Sequence, residues 1–207
     1  MAIEEKVEWE VAKQSITADE DFTNIKEGKL LRVDIACGDS KKENFIGIDL
    51  HKTDSTDIEH NLLEFPWPIE SESVYEFYCS HFVEHIPIQL KDGSYGMNKF
   101  MEEVWRCLIP GGIIQIVAPY YTSIRAHQDP THCRSITELT FTYYNKVMVN
   151  AMKVGHYMAN CNFDSVSKTY MLNAEWEAKA PDAQEWARKH YFNVVADIGF
   201  VLRKIDL

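Results

Sequence analysis

The segment Leu31-Arg32-Val33-Asp34-Ile35-Ala36-Cys37-Gly38, followed by Phe45-Ile46-Gly47-Ile48-Asp49-Leu50, restricts the possible folds more than any other part of this chain. An apolar strand runs into a turn of small residues, and a second apolar strand ends on a carboxylate. In a parallel sheet this lets a backbone turn approach a ligand closely and puts an acceptor for ribose hydroxyls at the next strand end. The pattern points to a nucleotide-like ligand at one edge of a sheet.

Further apolar runs extend that sheet. Residues 57–60 read as a short third strand, 74–79 as a fourth and 113–118 as a buried fifth. Two prolines in Phe65-Pro66-Trp67-Pro68-Ile69 remove backbone donors and helical freedom, so an aromatic-lined loop is expected there. After Ser80 and His81 the pattern predicts a short helical turn stopped near Pro87. The clearest helix spans 97–108, with Phe100, Met101, Val104, Trp105 and Leu108 on one face and Glu102, Glu103 and Arg106 opposite. Pro110-Gly111-Gly112 ends it. Strands separated by long crossovers predict parallel pairing in an α/β sheet.

Beyond Pro119 the pattern predicts a polar loop and then a helix from about Ile136, where Ser135 and Glu138 are spaced as a capping box. Residues 166–172 and 195–205 are later strand candidates. They flank a helix over 181–190 on which Ala183, Trp186, Ala187 and His190 share a face. Trp105 and Trp186 are assigned to the core, and Trp67 either covers a ligand or buries its own ring.

A chain of 207 residues suits one core rather than two, so the expected organisation is an acidic leader over 1–28 lying on a single domain over 29–207. The formal charge of −11 argues against a nucleic-acid partner, because such binding draws on Lys and Arg neutralising phosphates. Only Lys41-Lys42 and the 125–134 stretch come near a basic patch. Five cysteines without regular spacing give neither a disulfide framework nor a paired zinc pattern, and Cys37, Cys79 and Cys107 read as small reduced core residues. The first residues lack the basic start and apolar stretch of a secretory signal, and no run reaches membrane-spanning length. A cytoplasmic location and no membrane partner are expected; the pattern does not give the oligomeric state.

Three blocks together resemble a family. Val33-Asp34-Ile35-Ala36-Cys37-Gly38 with Ile46-Gly47-Ile48-Asp49 is similar to the first motif of class I S-adenosylmethionine-dependent methyltransferases. The stretch from Asn61-Leu62-Leu63-Glu64-Phe65-Pro66-Trp67 to Ser80-His81-Phe82-Val83-Glu84-His85-Ile86 resembles the segment after their third strand, which often closes on Leu-Glu-His. Val104 to Gly112 resembles their helix-to-fifth-strand block. Order and spacing fit over 30–120, and the combination is far more specific than any one block. This chain departs from the pattern in three ways. Ala36 replaces the first glycine, Asn61 stands where an Asp is usual, and about eight residues separate the first two strands, too few for a crossover helix. The short version resembles a subset of methyltransferases associated with surface-polysaccharide and phage genes.

The resemblance implies a single Rossmann-like α/β domain, its sheet mostly parallel with an antiparallel C-terminal strand, and S-adenosylmethionine as cofactor. On that reading Asp34 holds the methionine ammonium, amides around Ala36, Cys37 and Gly38 take the carboxylate, and Asp49 accepts the ribose hydroxyls. Leu50 and Leu62 sandwich the adenine, Asn61 faces its amino group, and Ser80 and His81 line the same pocket. Alternatively, Asp34 merely caps its strand. The implied reaction is methyl transfer to a small-molecule or sugar-like acceptor.

Methyl transfer needs a nucleophile held in line and, for a hydroxyl or ammonium, a base. His127, Asp129 and His132 follow the fifth strand at the sheet edge where ligands bind, and two histidines around an aspartate titrate near neutrality. These three are the catalytic candidates, with His85, Tyr120 and Tyr121 lining the acceptor pocket. The competing reading is a loop pinned by Asp129-Pro130 turn chemistry. No resident metal is expected. His81, Glu84 and His85 do fit an inverted zinc-protease pattern, which gives a zinc hydrolase as a less favoured alternative, but Pro87 cuts the required helix short. His127, Asp129 and His132 imitate an iron-oxygenase triad, whose usual scaffold is all-β. A non-catalytic module that binds S-adenosylmethionine is the remaining alternative.

Overall fold

A computed structural model describes residues 30–207; the acidic leader over 1–28 lies outside the described residues. Seven strands form one sheet in the order β3-β2-β1-β4-β5-β7-β6. They are β1 (Leu31–Ile35), β2 (Ile46–Asp49), β3 (Ile58–Glu59), β4 (Val74–Ser80), β5 (Leu108–Pro119), β6 (Phe163–Leu172) and β7 (Val195–Lys204). β1 to β5 pair in parallel, and β7 runs antiparallel to both of its neighbours. The described helices are α1 (Gly96–Cys107), α2 (Arg125–Gln128), α3 (Lys146–Met152), α4 (Ala174–Glu177) and α5 (Pro181–His190), with 3-10 turns at Val83–His85, Thr140–Tyr144 and Gly155–Tyr157. The predicted mostly parallel Rossmann-like sheet is thus present.

Register gives the sheet two unlike faces. Val33, Phe77, Ile114 and Leu202 align across four strands, and Ile35, Cys79, Ile116 and Phe200 form the next row. All eight are buried. α1 lays Phe100, Met101, Val104 and Cys107 on this face, each with no exposed surface. Trp67 is wedged between them, its ring centre 6.0 Å from that of Phe77 and 5.7 Å from that of Phe100. The Pro-rich loop therefore buries its tryptophan rather than offering it to a ligand. On the opposite face Arg32 bonds Glu76 through Nε (2.8 Å) and Nη2 (2.7 Å), and Gln115 donates to the same carboxylate. Strands of a parallel sheet are usually apolar on both sides; here alternation is kept and polar pairs close one side.

The β1–β2 connection carries no helix, as its length predicts. Three contacts replace helix packing. Asp34 Oδ2 accepts the Lys42 amide at 2.7 Å, Phe45 buries its ring beneath the Arg32 guanidinium at 4.4 Å, and Gly47 admits the 53–56 turn. A Cβ on Gly47 would stand 2.3 Å from the Ser55 carbonyl oxygen and 2.8 Å from Cys37 Sγ.

Three expectations differ from the structure. Residues around Ile136 are extended rather than helical: Ile136 bridges Tyr120, its carbonyl takes the Tyr121 amide, and Glu138 accepts the Tyr120 hydroxyl at 3.0 Å instead of closing a capping box. The helix arrives later as α3, capped by the Asn145 side chain on the Met148 amide. Pro110-Gly111-Gly112 does not separate helix from strand but forms a bulge inside β5, where Val74 pairs with Leu108 and Glu76 already with Ile113. Trp186 is 52% exposed, because α5 buries only Ala187 and leaves the indole stacked on His190 at 4.3 Å.

Glu103 ties the Trp67 wedge to α1. Its carboxylate, 7% exposed, accepts the buried Trp67 amide at 2.6 Å and pairs with Arg106, which also bonds the Ile69 carbonyl. Glu103→Ala strands that amide, and urea unfolding should show a loss of about 1–3 kcal/mol.

Candidate functional site

The chain steps from β1 outward to β2 and β3, then returns to place β4 on the other side of β1. Open α/β sheets bind ligands outside the carboxyl ends of strands at such a reversal. The 36–38 turn, the end of β2 and the Ser80-His81 corner all meet there.

The cofactor candidates divide into engaged and open groups. Ala36 and Gly38 both have positive φ, 55° and 56°, so the alanine adopts the conformation for which glycine is usual. The amides of Ala36 and Cys37 donate to the Ile48 carbonyl, at 2.9 and 3.4 Å, and that of Gly38 donates to Asp49 Oδ2 at 3.0 Å. These three donors are spent inside the protein rather than presented as a carboxylate cradle. Asp34 is 3% exposed, and burial pushes its carboxyl above the usual range against the Lys42 amide that lowers it. It clamps the loop. Asp49 is half-buried, and each oxygen accepts one amide, Gly38 and His51, leaving lone pairs toward solvent.

Leu50 stands 51% exposed beside it, whereas Leu62 is a core residue whose carbonyl accepts the Trp67 indole, so an adenine sandwich closed by Leu62 does not form. Asn61 is half-buried, accepting the Leu63 amide and donating to Glu64.

A polar cluster lies at the ends of β4, β5 and β7. Ser80 ends β4 half-buried. His81 follows in a left-handed conformation, φ 53°, and donates its amide to Val117 at 2.8 Å. Its Nδ1 lies 3.3 Å from Glu84 Oε1 and its Nε2 4.0 Å from Asp197 Oδ2. The Glu84 contact raises the His81 pKa against its partial burial, and Asp197 adds to the rise. Arg125 pairs with Asp197 from α2, yet burial still raises the Asp197 carboxyl. Asp197 and Arg125 were not among the sequence candidates, since nothing in their local pattern marks them; antiparallel pairing of β7 with β5 delivers Asp197 opposite Pro119.

The histidine loop splits. His127 Nε2 contacts the Tyr121 carbonyl at 3.0 Å and its ring stacks 6.0 Å from Phe192. His132 turns the other way and meets His85 edge to face, ring centres 4.6 Å apart. Asp129 Oδ1 accepts both the amide and hydroxyl of Thr131, which hold its carboxyl below the usual range, while Oδ2 lies 4.0 Å from His132 Nε2. The expected turn chemistry is therefore present, and it carries His132. Tyr120 is 2% exposed and packs in the core, so it does not line an acceptor pocket; Tyr121, beside it, is 40% exposed. Two residues past His132, Arg134 borders a cleft of about 330 Å³ lined also by Tyr95, Asn98, Thr140, Tyr143 and Tyr144.

The inverted zinc-protease pattern does not form as written. Val83–His85 is a single 3-10 turn, and it groups Glu84 and His85 with His132 rather than with His81. Among the described residues no helix is long and apolar enough to cross a membrane.

No protein-family model matches the chain, and no curated protein matches it. Solved structures do. A SAM-dependent methyltransferase from Archaeoglobus fulgidus superposes with a TM-score of 0.59 at 18% identity, covering 90% of this chain and 92% of that one. A candidate S-adenosylmethionine-dependent methyltransferase from Listeria monocytogenes gives 0.51 at 11% identity, covering 91% and 98%. A candidate sarcosine dimethylglycine methyltransferase from Galdieria sulphuraria gives 0.51 at 12%, covering 92% and 85%.

Gly47→Ala tests whether the helix-free β1–β2 connection needs that close approach. Because the obstructing atom is a backbone oxygen, the variant should lose about 1–3 kcal/mol in a denaturant melt. With its strand order and single reversed strand, the chain has the fold of class I S-adenosylmethionine-dependent methyltransferases.

Proposed function

We propose that this protein transfers a methyl group from S-adenosylmethionine to a small-molecule or sugar-like acceptor. The observation that carries the reading is the β1/β4 edge of a methyltransferase fold, where half-buried Asp49 and exposed Leu50 end β2 and a buried polar cluster follows β4. The donor set suits the cofactor at its nucleoside end: Asp49 has lone pairs for two ribose hydroxyls, Leu50 offers an apolar face to adenine, and Asn61 borders the same edge. Ser80 and His81 would face the methionine end. Bound there, the cofactor supplies an electrophilic methyl on a sulfonium.

The chain's own residues would do the rest. The Arg134 cleft combines tyrosine faces and the apolar side chains of Ile88, Met97 and Met158 with a few polar groups, Asn98, Arg134 and Thr140, which suits a ring that carries some hydroxyls. Asp129 and His132 would receive the proton of an acceptor hydroxyl, while His127 positions the loop through the Tyr121 carbonyl. Asp34 and the 36–38 amides would act by holding the turn rather than by touching ligand. Their engagement also keeps a second reading open to test, a module that binds the cofactor without catalysis.

Calorimetric titration of the full chain with S-adenosylmethionine and S-adenosylhomocysteine should show saturable one-to-one binding. Asp49→Ala should weaken it by about ten- to a hundredfold, the size of one or two lost charge-assisted hydrogen bonds. Failure of both ligands to bind would refute the cofactor reading. With an acceptor in hand, His132→Asn should lose turnover and retain cofactor affinity; unchanged turnover would favour the binding module.

A further inference from the structure

Glu84 is a buried carboxylate to which the methyl-transfer reading gives no role. It is 1% exposed, and neither carboxylate oxygen accepts a hydrogen bond. His81 Nδ1 lies 3.3 Å from Oε1. Removing a carboxylate from water costs several kcal/mol unless a cation and hydrogen bonds compensate it. One carboxylate oxygen of Glu84 and one ring nitrogen each from His85 and His132 all lie within 4.8 Å of one another.

The two imidazoles are held in the manner of ligands. His132 Nδ1 is 3.2 Å from the Ala126 carbonyl, which can only accept, so Nδ1 carries the proton and Nε2 the lone pair. His85 Nδ1 is 2.9 Å from Thr131 Oγ1, whose own proton goes to Asp129 Oδ1, so Nδ1 again donates and Nε2 is left with the lone pair. Outer hydrogen bonds of this kind orient metal-binding histidines and fix their tautomer. The two segments are also stapled together: the Cys133 amide donates to the Glu84 carbonyl at 2.8 Å.

We propose that Glu84, His85 and His132 bind one divalent transition-metal ion, with zinc the best match to two imidazoles and a carboxylate. Bond lengths near 2.0–2.2 Å put tetrahedral donors roughly 3.4 Å apart, so side-chain rotation must close at most about 1.4 Å. Three protein ligands leave a position for water or an acceptor hydroxyl, and because a bound ion takes the His132 Nε2 lone pair, Asp129 alone would then receive the acceptor's proton. The ion's charge would compensate Glu84, which among the described residues has His81 Nδ1 at 3.3 Å and no hydrogen bond.

The test uses the full chain freed of metal by chelation, with no S-adenosylmethionine present, so that its failure is independent of the cofactor reading. Zinc is titrated in competition with a chromophoric chelator, and cobalt is substituted to report coordination by visible absorption. Wild type should take one equivalent and gain melting temperature. His85→Ala and His132→Ala should each weaken zinc at least tenfold and lose the thermal gain, Glu84→Gln should do the same, and surface His190→Ala should behave as wild type. Should Glu84→Gln not fold, the two histidine variants decide. Binding well below one equivalent, or one equivalent that survives both His85→Ala and His132→Ala, would overturn the site.

Discussion

Two rows of apolar side chains crossing β1, β4, β5 and β7, pressed against α1, fix the positions of everything else. Val33, Phe77, Ile114 and Leu202, then Ile35, Cys79, Ile116 and Phe200, are aligned by strand register and lose all or nearly all contact with water. Since side chains alternate along a strand, that burial also sets which residues emerge at the strand ends. Ser80 and His81 leave β4, Asp49 ends β2, and Asp197, near the start of β7, stands across from Pro119 in this register. The Trp67 wedge and its Glu103 tether close the far side of the same core, which is why the Pro-rich loop is structural.

The short β1–β2 connection shifts work from a helix to individual polar contacts. Where a crossover helix would offer free amides at its N-terminus, this turn has three amides already engaged by Ile48 and Asp49. Asp34 and Asp49 consequently stabilise the turn before any ligand arrives. On the proposed reading, a ligand at this edge would gain preorganisation and lose donors, placing more of its recognition on Asp49 and the residues after β4.

Carboxylates gather where the sheet ends. Glu84 and Asp197 are both buried, with His81 between them and Arg125 on the outer side. Buried charges of one sign persist only with compensation, and the positive-φ backbone of His81 is the local strain that sets its ring between the two. The same economy applies to His85 and His132, whose Nδ1 atoms are committed to Thr131 and Ala126.

The strand–turn–strand block, the amphipathic helix over 96–107 and the later strands were legible in the sequence because period and composition are local properties. Asp49 was legible for the same reason, as an acid closing an apolar run. Long-range competition decided the rest. Ser135 and Glu138 have capping spacing, but Tyr120 offers Glu138 a better-placed hydroxyl and Ile136 a backbone partner, so the chain stays extended. Trp186 has a helical apolar neighbour set, yet only Ala187 reaches the core. His127 and His132, five residues apart, look like one unit in sequence and point to different partners in space. The sequence by itself determined the strand–turn–strand block, the helix before β5, the later strands and the acid at the end of β2. Only the tertiary structure, by pairing β7 with β5 and stapling the 129–133 loop to the 83–85 turn, decided that Asp197 and Glu84 share His81 and that His132 faces His85.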